Sequence, residues 1–123
     1  MLKQQNRLRN GRRIREVRRS GPSVSNHWLV MSKLPGKEAQ SRFAFAVSRR
    51  IGNAVTRNRI KRLMREAVRW SLPCVSDGWD ILFIARTAAA TASYAEITRA
   101  VTDLLQKTGL QDSTCRAVPA PIE

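Results

Sequence analysis

Apolar positions along the chain follow helical spacing in some stretches and strand alternation in others. From Asn10 to Arg19 the members Ile14 and Val17, with Leu8 just ahead, are set among cations, and Ser20-Gly21-Pro22 supplies a stop, which predicts a short helix at about 11–19. Residues 24–33 alternate loosely and carry Val and Trp, the pattern of a strand, with Pro35 and Gly36 marking the turn beyond it. In RFAFAVS, Phe43, Phe45 and Val47 alternate with Arg42, Ala44, Ala46 and Ser48. One face of that strand suits a core; the other is small enough to let an extended ligand approach the sheet.

A longer helix is predicted after Gly52, capped by Asn53 or Thr56 and ended near Ser71 by Pro73. Its Ile60, Leu63, Met64, Ala67 and Val68 share one arc, while Asn58, Lys61, Arg62, Arg65 and Arg69 share the neighbouring arc. WDILFIAR, at 79–86, is continuously apolar, as an interior strand covered on both sides would be, and strand, helix and strand in succession suggest a β-α-β unit with parallel pairing. Ser93 and Glu96 have capping-box spacing ahead of Ile97, Val101, Leu104 and Leu105, with Gly109 past the helix end. One domain at 1–109 is expected, with a frayed start at 1–6 and a flexible tail at 110–123.

Charge turns this outline toward a partner. The net charge is +14, and all of it lies in two stretches. Met1–Arg19 holds eight cations against Glu16, and Arg49–Arg69 holds eight against Glu66; elsewhere the signs balance. Most of these cations are Arg, whose planar fork grips phosphate through two hydrogen bonds and stacks on bases. Same-sign crowding along a helix is destabilising unless something neutralises it, so a polyanion-binding surface is expected.

Other chemistry is poorly provided for. His27 is the sole histidine, Asp77 and Asp80 form the only close acidic pair, and that pair suits a turn entering a strand. No catalytic residue and no metal ligand is expected in the protein, since phosphodiester hydrolysis calls for a carboxylate cluster or an acid/base pair. Cys74 and Cys115 form no C-x-x-C or Cys/His cluster, so neither a metal knuckle nor a disulfide framework is expected, and a cytoplasmic location fits. No apolar run reaches membrane-spanning length.

RNRIKRLMREAVR at 57–69, preceded by VSRRIGNAV at 47–55 and followed by DILFIAR, resembles the signature region of the protein subunit of bacterial ribonuclease P. Weaker agreement runs from RLRN near residue 7 through GPSVSN to the last helix. The resemblance implies an α+β sandwich, ordered α-β-β-β-α-β-α, with a four-stranded mixed sheet of ribosomal-protein-like fold. It also implies a left-handed crossover, where the default would be right-handed. It further implies that Arg57, Asn58, Arg59, Lys61, Arg62, Arg65 and, on the same arc, Arg69 lie against the catalytic RNA. A cleft between the first helix and the open sheet face would take the 5′ leader of precursor tRNA, lined by Arg13, Ile14, Val17, Arg18, Met31, Ala44, Ala46, Ser48, Arg49 and Arg50. Where the family usually places Phe on that helix, Ile14 and Arg18 stand here, so stacking on Phe is replaced by what a guanidinium can do.

The implied function is leader removal from precursor tRNA by a holoenzyme, a ribonuclease P hydrolase whose RNA carries the catalysis while the protein alone is inactive. No cofactor is expected on the protein; the Mg²⁺ the holoenzyme requires would be held mainly by RNA, with one protein per catalytic RNA and no membrane partner. A ribosomal or other generic RNA-binding protein is the first rival. A membrane-surface helix is the second, and it requires Ile60, Leu63 and Met64 to stay exposed.

Overall fold

The computed structural model describes residues 2–111. Three helices, α1 (Gly11–Ser20), α2 (Ala54–Ser71) and α3 (Tyr94–Lys107), pack on a sheet of β1 (Ser23–Ser25), β2 (Leu29–Pro35), β3 (Arg42–Ala46) and β4 (Trp79–Ala85). The strand order is β1-β2-β4-β3. β2 runs antiparallel to β1 and β4, whereas β3 and β4 are parallel neighbours joined through α2. The α-β-β-β-α-β-α order and the mixed four-stranded sheet are those expected.

Local chemistry sets the boundaries. Asn10 and Asn53 cap α1 and α2, each side chain accepting from the backbone N–H three residues on, and Ser93 and Glu96 close the capping box of α3 reciprocally. Gly109, at φ 76°, takes the left-handed conformation that ends α3, with Leu110 N–H donating to the Leu105 carbonyl. Residues 24–33 are two strands, not one. Asn26 Oδ1 accepts from the backbone N–H groups of Trp28 and Leu29, and this local turn folds β2 back beside β1.

The sheet is covered unequally. On one face α2 and α3 bury Ile60, Met64, Ile97 and Leu104 against Leu29, Met31, Phe43, Ile81 and Phe83. Phe45, Trp28, Trp79 and Tyr94 pack at the margin of this same core. Ile60 and Met64 have no exposed surface and Leu63 almost none, which removes the membrane-surface reading. On the opposite face α1 seats Val17 over Ala44 and Leu82, and the aromatic side chains are all elsewhere among the described residues.

Both chain ends depart from expectation. Leu2 is buried with the α2/α3 core, Leu8 is buried on the α1 side, and the Leu8 N–H donates to the Phe43 carbonyl. Residues 2–8 therefore form a strap around the outer edge of β3, tied by Asn6 Nδ2 donating to the Ser41 carbonyl. At the other end Leu110 and Gln111 are buried, Ser76 N–H donates to the Leu110 carbonyl, and the rest of the expected tail lies outside the described residues. Cys74 is disulfide-bonded, contrary to the sequence expectation; Cys115 lies outside the described residues.

Candidate nucleic-acid interface

Burial of five apolar side chains fixes the rotation of α2 and turns its cationic arc outward. Asn58, Arg62 and Arg69 are exposed, and Lys61 and Arg65 are half-buried toward the β3 edge. Among the described residues Lys61, Arg62 and Arg65 form no ion pair, so their charges are uncompensated. The other expected members are partly engaged within the protein. Arg57 Nε donates to the Gly52 carbonyl at 3.2 Å and Arg59 Nη2 to the Ala92 carbonyl at 2.9 Å. Arg69 pairs with Glu66 at 3.1 Å and lies over the Trp70 ring. Each still adds to the local potential, but with its guanidinium fixed in direction.

The two basic stretches meet at the outer edge of β3. Arg7 of the strap and Arg9 just past it line the same groove as Lys61 and Arg65 of α2, although 52 residues separate Arg9 from Lys61.

On the α1 face, side chains stand in rows fixed by the strand register. Val30, Ile84 and Ala46 form one row across β2, β4 and β3, and Ser32, Leu82 and Ala44 the next. α1 lies over the second row. Ile84 and Ala46 beside it are only half-buried, with Ile14 at the helix margin, and they floor a shallow aliphatic trough. Arg18 on α1 and Ser48, Arg49 and Arg50 just past the end of β3 are exposed.

Three residues assigned to the cleft belong elsewhere. Met31 pairs with Phe83 and is fully buried in the α2/α3 core, because strand alternation sends it to the face opposite Ala44 and Ala46. Val17 is also fully buried, serving as the anchor of α1. Arg13 is occupied: Nε donates to Asp80 Oδ2 at 2.7 Å, Nη1 to Glu16 at 2.6 Å and Nη2 to the Pro35 carbonyl at 2.7 Å. Ile84 was missed as a floor residue, since a run that is apolar on both faces gives no parity. Continuing the Ala44/Ala46 parity onto β4 would have found Ile84.

Asp80 was read as a turn residue and is instead the clamp beneath the first turn of α1. Its side chain is 1% exposed and also accepts from Arg42, Nε at 3.0 Å and Nη2 at 3.1 Å. Burial pushes its carboxyl up, but hydrogen bonds from Arg42 and Arg13, with their charges, overrule that and hold it below the usual carboxylate range. The Asp80 hydrogen bond, then that of Glu16, raises the Arg13 guanidinium further above its ordinary value. The pairing ties α1 to β3 and β4, and so fixes one wall of the trough.

A cationic helix face and an aliphatic trough on one small α+β sheet define an RNA-binding domain whose two surfaces meet at a sheet edge. The sequence profile described as Ribonuclease P matches residues 2–109, and the chain belongs to the ribonuclease P protein family. It is 37% identical over 119 residues to the ribonuclease P protein component of Roseiflexus castenholzii, covering 96% of this chain and 98% of that one. It is 40% identical over 113 residues to that of Dehalococcoides mccartyi, covering 92% of each. Among solved structures, the Staphylococcus aureus RNase P protein aligns with TM-score 0.80 and 27% identity, over 87% of this chain and 98% of that one. The Thermotoga maritima RNase P protein aligns with TM-score 0.76 and 27% identity, over 82% and 96%. The chain is thus a protein subunit of the ribonuclease P endoribonuclease and associates with ribonuclease P RNA; the generic ribosomal alternative is not favoured.

Proposed function

We propose that α2 docks the protein on the catalytic RNA through Asn58, Lys61, Arg62 and Arg65, while the trough beside α1 receives the 5′ leader of precursor tRNA. The observation that carries this reading is the convergence of both basic stretches on the β3 edge, between the two surfaces. Two RNAs repel each other, and a cationic protein set between them lowers the cost of bringing them together and the Mg²⁺ needed to screen them. The phosphodiester chemistry and its Mg²⁺ belong to the RNA. One protein per catalytic RNA, acting in the cytoplasm, completes the reading.

Reconstitution tests it. Protein and catalytic RNA together should mature precursor tRNA at low Mg²⁺, the protein alone should cut nothing, and shortening the leader should erase the protein's contribution to substrate affinity. Cleavage by protein alone, or a contribution indifferent to leader length, would overturn the assignment.

A further inference from the structure

The groove at the β3 edge has a composition that neither docking nor leader binding requires. It measures about 380 Å³, toward the lower end of the range for small-ligand pockets, about 300–1,000 Å³. Leu8, Ala44 and Phe45 contribute its apolar part, and Arg9, Lys61 and Arg65 stand at its cationic part. A surface that only gathered phosphates would have no use for the apolar part.

The sheet edge adds polar capacity. The strap pairs with β3 only at Phe43, where the Phe43 carbonyl points outward and accepts from Leu8. Alternation along a strand aims the backbone carbonyl of Phe45 to the same side, where no described strand pairs with it. An apolar slot, an outward peptide edge and a cationic rim match the three parts of one nucleotide: a flat base, its hydrogen-bonding edge and its phosphate. We propose that this groove binds a single unstacked nucleotide of the catalytic RNA, its base against Phe45 and Leu8 and its phosphate against Lys61 and Arg65. The side chains at the rim belong to the docking helix, which assigns the nucleotide to the catalytic RNA and not to the leader. That assignment of source rests on the function proposed above; the capacity to bind a nucleotide does not.

The test is a titration of the isotope-labelled full chain with AMP, ribose 5-phosphate and inorganic phosphate at matched ionic strength, followed by backbone amide shifts. AMP should shift Leu8, Ala44 and Phe45 and saturate at about tenfold lower concentration than ribose 5-phosphate, the gain expected of one base on an aromatic surface. Inorganic phosphate should move only the rim, Arg9, Lys61 and Arg65. Phe45→Leu, which removes the aromatic surface offered to the base, should remove the AMP advantage and weaken binding to the catalytic RNA by a similar factor. Equal affinities for AMP and ribose 5-phosphate, or AMP shifts centred on Ala46 and Ile84 in the trough, would overturn the proposal. So would a folded Phe45→Leu protein that loses the AMP advantage yet binds the catalytic RNA unchanged. If that variant does not fold, the comparison of AMP with ribose 5-phosphate on the parent chain still decides. Failure in any of these arms leaves the leader-length result standing, so the two readings fail separately.

Discussion

Replacing Asp80 by Asn keeps the shape of the side chain but removes the charge that two arginines share. Taking one partner from a buried ion pair costs about 3–5 kcal/mol, because the remaining charge is stranded. Here Asp80 is 1% exposed, but Arg13 and Arg42 keep 22% and 25% of their side-chain surface in water and can re-solvate. That re-solvation brings the cost to the lower end of the range or just below it, about 2–3 kcal/mol. With a urea dependence of about 1–3 kcal/mol per molar, the unfolding midpoint should fall by about 1–2 M at unchanged slope. The pH dependence has a definite sign. Asp80 has its folded pKa depressed, so the unfolded chain takes up the proton first; the stabilisation is complete above the unfolded carboxylate value, about 3.9, and is lost as pH falls through the folded value. The gap between the parent chain and Asp80→Asn should therefore be constant from neutral pH down to about 5 and close below about 4. A midpoint change under about 0.3 M, or a gap that persists at acid pH, would refute the clamp.

Arg62→Ala or Arg65→Ala should weaken binding to the catalytic RNA and reduce the slope of log K against log salt by about 0.7–0.9 for each phosphate left unneutralised, read from titrations at several salt concentrations. Leu2→Ala, at a position the sequence marks as frayed, should lower stability by about 2 kcal/mol in denaturant unfolding, since its side chain is buried with the main core. Ser93→Ala should cost about 0.5–2 kcal/mol in the same assay by opening the capping box of α3. Arg18→Ala should reduce affinity for precursor tRNA bearing a leader while leaving that for leaderless tRNA unchanged, in paired binding measurements with the holoenzyme.

What could be read in advance was whatever is local in sequence. The apolar arc of α2, the capping box at Ser93 and the alternation of RFAFAVS each lie within a few residues, and each matches the structure. The outward turn of the cationic arc followed from them, because burying Ile60 and Met64 leaves Arg62 nowhere to go but outward. The cleft was harder, since it depends on register. Met31 went to the wrong face because the loose alternation of 24–33 hid both its parity and the Asn26 turn. Asp80 could not be recognised as a clamp, since its partners stand 38 and 67 residues away. The strap escaped notice because Leu2 and Leu8 are too few to make a pattern; only the β3 edge shows what they bury against.

The one-sided placement of the aromatic residues has a spectroscopic consequence. Trp28 and Trp79 border the core beneath α2 and α3, and Trp70 sits on α2 itself under the Arg69 guanidinium. Indole emission will therefore report the collapse of that core, and Trp70 will sense an RNA arriving on α2. A strand settling into the aliphatic trough meets no fluorophore, so intrinsic fluorescence separates the two ligands by seeing one and passing over the other.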